Sequence, residues 1–180
     1  MEEKQQHVYK MYGIVLRQLD GINSGVQTAH AVCEYIRKHW EDEDLQQWLN
    51  KDKTLIVLNG GTYKDLVEIM SKFNDNGIKY ETFEEEDLDE LTTSIAVLAD
   101  ERVWDKKEYG TVEQFVENNA KKILEDEDLQ PKEWKSSEWE EAERELQEYL
   151  DREVNKQYEQ FVGGRENVVK KEVLNNLRLV

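Results

Sequence analysis

The chain has 180 residues, of which 41 are Asp or Glu and 24 Lys or Arg, so its formal charge is −17; 36% of residues are charged and 38% hydrophobic. Acidity of this size opposes a phosphate backbone and an anionic membrane surface, and a single cysteine, Cys33, excludes an intrachain disulfide and a cysteine-based zinc cluster. No apolar run approaches the ~20 residues of a membrane helix, and Glu2 to His7 form no apolar leader, so a cytoplasmic protein without membrane contact is expected.

Met11 to Leu16 is an almost continuously apolar run, the form of a strand covered on both faces. Gly21 and Gly25 interrupt it, and Ser24 is placed to cap a helix that aligns Val26, Ala29, His30, Cys33, Ile36 and Arg37 on one face. That face reads as the buried one, which makes Cys33 a small core hydrophobe. Thr54 to Leu58 is a second strand. Asn59-Gly60-Gly61 ends it, and Thr62 caps a helix with Leu66, Val67, Ile69, Met70 and Phe73 inward. Asn76-Gly77 stops this helix. Ile78, Tyr80 and Thr82 alternate as a third strand, and Ser94 to Ala99 is a fourth. The expected fold is therefore α/β, a small mixed four-stranded sheet covered by helices, over residues 1–110.

From Thr111 onward no strand is predicted. Val112, Phe115, Val116, Ile123 and Leu124 suit a short helix, and Pro131 a helix first turn. An amphipathic pattern runs from Trp134 to Phe161, Gly163-Gly164 ends it, and a last helix carries Val168, Val169, Val173, Leu174 and Leu177. Residues 111–180 are thus expected to form an acidic, all-helical C-terminal extension. Its apolar stripe requires a cover: the sheet, itself, or a partner chain.

Few residues are candidates for chemistry. The chain has no phosphate-binding Gly-rich motif, no nucleophile elbow and no His-Glu-x-x-His pair, and nothing calls for a metal or an organic cofactor. The Asn59-Gly60-Gly61-Thr62 turn offers backbone amides to an anion, or is a turn without a ligand. Glu84, Glu85, Glu86, Asp87, Asp89 and Glu90 form a dense acidic loop without the spacing of a calcium loop, which reads as a solvated face. His30 follows Gln27 by one helical turn, near the start of a helix that leaves a buried strand, where open α/β sheets gather ligands. It is either a base or substrate contact, or a core histidine bonded to backbone.

At these residues the sequence resembles the type II peptidyl-tRNA hydrolases. Val15-Leu16-Arg17 is similar to the end of that family's first strand, and Gln27-Thr28-Ala29-His30-Ala31 to its helix motif; the likeness covers roughly residues 8–103. The resemblance implies a site in which His30 and Glu84 are catalytic and Arg17, Asn23 and Gln27 hold substrate. It also marks departures. The family's loop lysine falls on Asn23, its second-motif glycine on Glu86 and its threonine on Leu88. Two readings follow. In one, the chain is a catalytically degenerate relative, an acidic protein-binding or inhibitory module whose surface and C-terminal helices engage a basic protein or a second copy. In the other, it is an active hydrolase of peptidyl-tRNA or a related aminoacyl ester, with tRNA as its partner.

Overall fold

A computed structural model describes residues 7–19, 21–124 and 139–180. The chain divides into two compact units, one formed by residues up to Trp104 together with Arg165–Val180, the other by Asp105–Gly164.

The first unit is built on a mixed five-stranded sheet in the order β3-β4-β1-β2-β5. β1 (Tyr9–Val15) pairs in parallel with β2 (Thr54–Asn59) and antiparallel with β4 (Leu91–Asp100). β3 (Tyr80–Glu85) and β5 (Arg178–Leu179) are the edges, both antiparallel to their neighbours. The first strand is covered on both sides, as its unbroken apolar run predicts. Met11 and Tyr9 face a core shared with Ala31, Val32 and Tyr35 of α1 (Gly21–Lys38), Leu45 of α2 (Glu43–Gln47), and Trp48 of a following π-helical turn. Tyr12 and Ile14 face the other core, with Leu66, Ile69 and Phe73 of α3 (Tyr63–Asp75) and Val169, Val173 and Leu174 of α7 (Arg165–Asn176). One layer of helices thus lies on each face of the sheet.

Several expectations change. Val168, Val169, Val173 and Leu174 are buried, so α7 belongs with the sheet rather than with a separate extension. The chain after it adds a fifth strand where none was predicted, because the Leu58 and Asn59 edge of β2 has free backbone groups that Leu179 and Arg178 pair with. α1 begins at Gly21 rather than after Ser24, whose hydroxyl donates to the Leu19 carbonyl. Its buried face holds Ser24, Thr28, Ala31, Val32 and Tyr35. Val26, Ala29, His30 and Cys33 are exposed, and so is Val67 on α3. The inversion on α1 has a local cause. Gly13 of β1 lets the helix approach so closely that a side chain at Gly13 would collide with Thr28. The helix therefore presents the small and β-branched side to the sheet.

The second unit contains α5 (Val112–Leu124) and α6 (Trp139–Phe161), preceded by the short α4 (Glu101–Trp104) of the first unit. Phe115 packs on Tyr158 and Phe161, Tyr109 also meets Phe161, and the Tyr158 hydroxyl donates to the Gly110 carbonyl. The expectations for Pro131 and Trp134 lie outside the described residues.

Candidate functional site

Strand alternation decides which β3 residues reach α1. Glu81, Phe83 and Glu85 share one side, and each meets the helix. Glu81 accepts from Lys38 Nζ at 2.5 Å and lies 3.0 Å from His39 Nε2. Phe83 stacks on the His30 ring, centroids 4.3 Å apart and planes 15° from parallel. Glu85 Oε2 accepts from Gln27 Nε2 at 2.5 Å. Tyr80, Thr82 and Glu84 alternate to the opposite side, where Tyr80 packs on Phe73 of α3.

Gln27 is held from β4 as well. Its side-chain carbonyl accepts from Thr93 Oγ1 at 2.6 Å, and its backbone carbonyl accepts from Ser94 Oγ at 2.7 Å. Adjacent strand residues normally point to opposite faces, so two neighbouring hydroxyls on one glutamine need a reason. A bulge supplies it. Phe83 pairs with Ser94 while Glu84 pairs with Thr92, which leaves Thr93 as the extra residue, turned toward α1. The Thr93 carbonyl meanwhile accepts from the Leu16 amide at 3.0 Å, tying the bulge to the end of β1.

The five residues singled out from sequence lie on α1, on β3 and on the loop after β1. Gln27 and His30 sit one turn apart on the exposed start of α1, with Asn23 exposed a turn earlier. Among the described residues, no hydrogen bond or ion pair reaches the His30 ring or the Asn23 amide, and none joins His30 to the exposed Glu84. A histidine bonded to backbone in the core is not what the structure shows. Arg17 is exposed on the loop after β1; its amide donates to the Gly61 carbonyl at 2.7 Å, and its side chain lines a groove beside α3. Sequence reading missed Glu85, Phe83 and Thr93. The period-two pattern through Tyr80 and Thr82 was the signal for the first two, since it puts Glu84 with Tyr80 and Glu85 with Phe83.

The glycine turn after β2 is closed on itself. The Gly60 amide donates to the Val15 carbonyl at 2.7 Å, and the Gly61 amide to Asn59 Oδ1 at 2.9 Å. Thr62 and Asp65 form a reciprocal capping box. The Thr62 amide and hydroxyl hold the Asp65 carboxyl below the usual range, and Lys64 and Arg17 add to the effect. No amide of the turn is left pointing at an anion. After β3, by contrast, Glu86, Asp87, Asp89 and Glu90 are exposed, as is Glu84 on the sheet face away from α1, with no ion pair among the described residues. Glu84, Glu86 and Leu88 stand where the resemblance calls for an aspartate, a glycine and a threonine.

Among the described residues no helix is long and apolar enough to cross a membrane. A search of curated proteins finds no match to the chain. The family model described as peptidyl-tRNA hydrolase PTH2 matches residues 9–103, which run from the first residue of β1 to the short helix after β4. With more than half of its length matched, and β1, Gln27 and His30 in the places the resemblance gave them, the chain belongs to the type II peptidyl-tRNA hydrolase family.

Proposed function

We propose that this protein is a member of the family that does not hydrolyse peptidyl-tRNA, and that its α1 surface binds a basic, amphipathic segment of another protein. The observation that carries this reading is the way Gln27 is held. Thr93 and Glu85 each bond one end of its amide, which fixes its orientation against β3 and β4 and leaves one N–H and one carbonyl lone pair for any other partner. Cleavage of a peptidyl-tRNA ester also requires a grip on polyanionic RNA and donors for a developing oxyanion. Here the turn after β3 is a run of carboxylates without an ion pair among the described residues, and Asn23 stands where the resemblance places a lysine.

The same surface suits a cationic partner. Ile22 is 81% exposed, and Val26, Ala29, His30 and Cys33 continue an apolar stripe along the outside of α1. Beside it stands the acidic turn at 84–90. An apolar stripe edged by negative charge complements a helix with apolar residues on one face and Lys or Arg at its margin, and the charges raise association rate and selectivity.

The test sets a hydrolysis assay on N-acetyl-aminoacyl-tRNA beside titration with a synthetic Leu/Lys amphipathic peptide. The expected result is no turnover, and peptide binding that weakens with salt and is lost in Val26→Asp and in Glu86→Lys/Asp87→Lys. Turnover abolished by His30→Ala overturns the proposal in favour of an active hydrolase. Failure of the peptide to bind overturns the interaction role.

A further inference from the structure

The family match ends at residue 103, yet residues from the end of the chain return to build a second concave surface on the sheet unit. A groove of about 530 Å³ lies at the carboxyl ends of parallel strands β1 and β2, between α3 and α7. Open α/β sheets characteristically bind ligands at this end of their strands, and the volume is that of a small-molecule site. Ile69 of α3 and Val173 and Leu177 from the α7 end supply apolar wall. Three cations border it: Arg17 after β1, Lys72 on α3 and Arg178 in β5.

The charge state of these walls is unusual for so acidic a chain. Among the described residues none of the three cations has an ion-pair partner, although three carboxylates also line the groove. Two of those carboxylates are engaged elsewhere. Asp65 accepts the Thr62 amide and hydroxyl, and Glu68 pairs with Lys64 at 3.6 Å. The walls thus carry three cations and three carboxylates, a formal balance of zero in a chain whose net charge is −17.

We infer that this groove binds a small amphipathic anion, its carboxylate or phosphate head held by Arg17, Lys72 and Arg178 and its apolar body resting on Ile69, Val173 and Leu177. Guanidinium groups suit either head because their fork of donors matches planar oxyanions. Arg178 and Leu177 lie beyond the residues the family shares, so the site belongs to this chain's own C-terminal return. None of its walls comes from α1 or the 84–90 turn, and the hydrolysis result does not bear on it.

The experiment is a titration of the full chain, ¹⁵N-labelled, with four probes: N-acetyl-leucine, its neutral amide, isopentyl phosphate and inorganic phosphate. The expected result is saturable shifts of the Gly60, Gly61, Val173 and Arg178 amides with one or both amphipathic anions and none with the neutral amide; the anion that saturates at lower concentration names the head group. Inorganic phosphate, which has a head and no body, is expected to bind at least tenfold more weakly. Lys72→Ala and Arg178→Ala should each weaken binding by roughly tenfold, the loss of one charge-assisted hydrogen bond. Lys72 is exposed on α3, so its replacement leaves the fold intact. Equal binding of the neutral amide, saturation by none of the probes, or unchanged affinity in the folded Lys72→Ala variant overturns the inference.

Discussion

Gln27 on α1 donates to Glu85 on β3 across 2.5 Å, and this one bond joins the residue most characteristic of the family's helix motif to a carboxylate of the acidic turn. With Thr93 on its other end, Gln27 becomes a structural clamp between the first helix and the β3–β4 bulge. Gln27→Met, nearly the same size, removes both bonds and strands two polar partners in a half-buried place. A loss of about 1–3 kcal/mol in unfolding free energy is expected, measured as a fall in denaturant midpoint at unchanged slope. If the midpoint stays put, the clamp contributes nothing.

The close approach of Gly13 and Thr28 predicts a coupled pair. A Cβ at position 13 would stand 2.2 Å from the Thr28 methyl, so Gly13→Ala forces the helix or the threonine to move. A destabilisation of about 1–3 kcal/mol is expected for this overpacking. Adding Thr28→Ser, which deletes the colliding methyl, should restore a good part of it. In a double-mutant cycle the two changes are expected to be non-additive by more than about 0.5 kcal/mol.

Thr28 also carries a buried hydroxyl oxygen with no hydrogen-bond partner among the described residues. Thr28→Val keeps the shape and replaces that oxygen with a methyl group. Because an unsatisfied buried hydroxyl costs about 1–3 kcal/mol, the variant should raise the melting temperature. A lower melting temperature would show that the hydroxyl is satisfied in solution.

Asp100 at the end of β4 is expected to contribute to the acid limb of the stability curve. Its carboxylate accepts from the Arg102 amide and guanidinium and from Asn167 of α7. Burial raises its pKa, but the bonds and charge of Arg102, with Asn167, outweigh burial and hold it below the usual value. A carboxyl depressed in the folded state adds stability above its unfolded pKa, near 4, and that contribution fades as pH falls through the lower folded value. Asp100→Asn should therefore lower stability at pH 7 and flatten its decline below about pH 4. Parallel curves for the two proteins below that pH would refute the assignment.

Cys33 offers a direct probe of the α1 surface, since the structure exposes the residue that periodicity assigned to the core. A thiol reagent should label it in the native protein at the rate of an unfolded control, within about tenfold. Saturating amounts of the Leu/Lys peptide should then protect it. Labelling only after denaturation would restore the buried reading of that face.

Four of the five strands, the two-sided cover of β1 and the helix cap at Thr62 were legible in the sequence, because each rests on local chemistry: an unbroken apolar run, a glycine stop, a hydroxyl at a helix start. The α1 motif was legible for the same reason, Gln27 and His30 being one helical turn apart. Which face of α1 turned inward was not, since apolar spacing along one helix is satisfied by Val26 and Cys33 as well as by Ala31 and Tyr35. The choice was made by Gly13, a neighbour fifteen positions away in the chain. The partner of Gln27 depended on a bulge at Thr93, and pairing register is a property of two strands together. Local interactions determine the elements; contacts between residues far apart in sequence determine their faces, their register and the return of the last helix to the sheet. On that second set depends which partners fix the Gln27 amide.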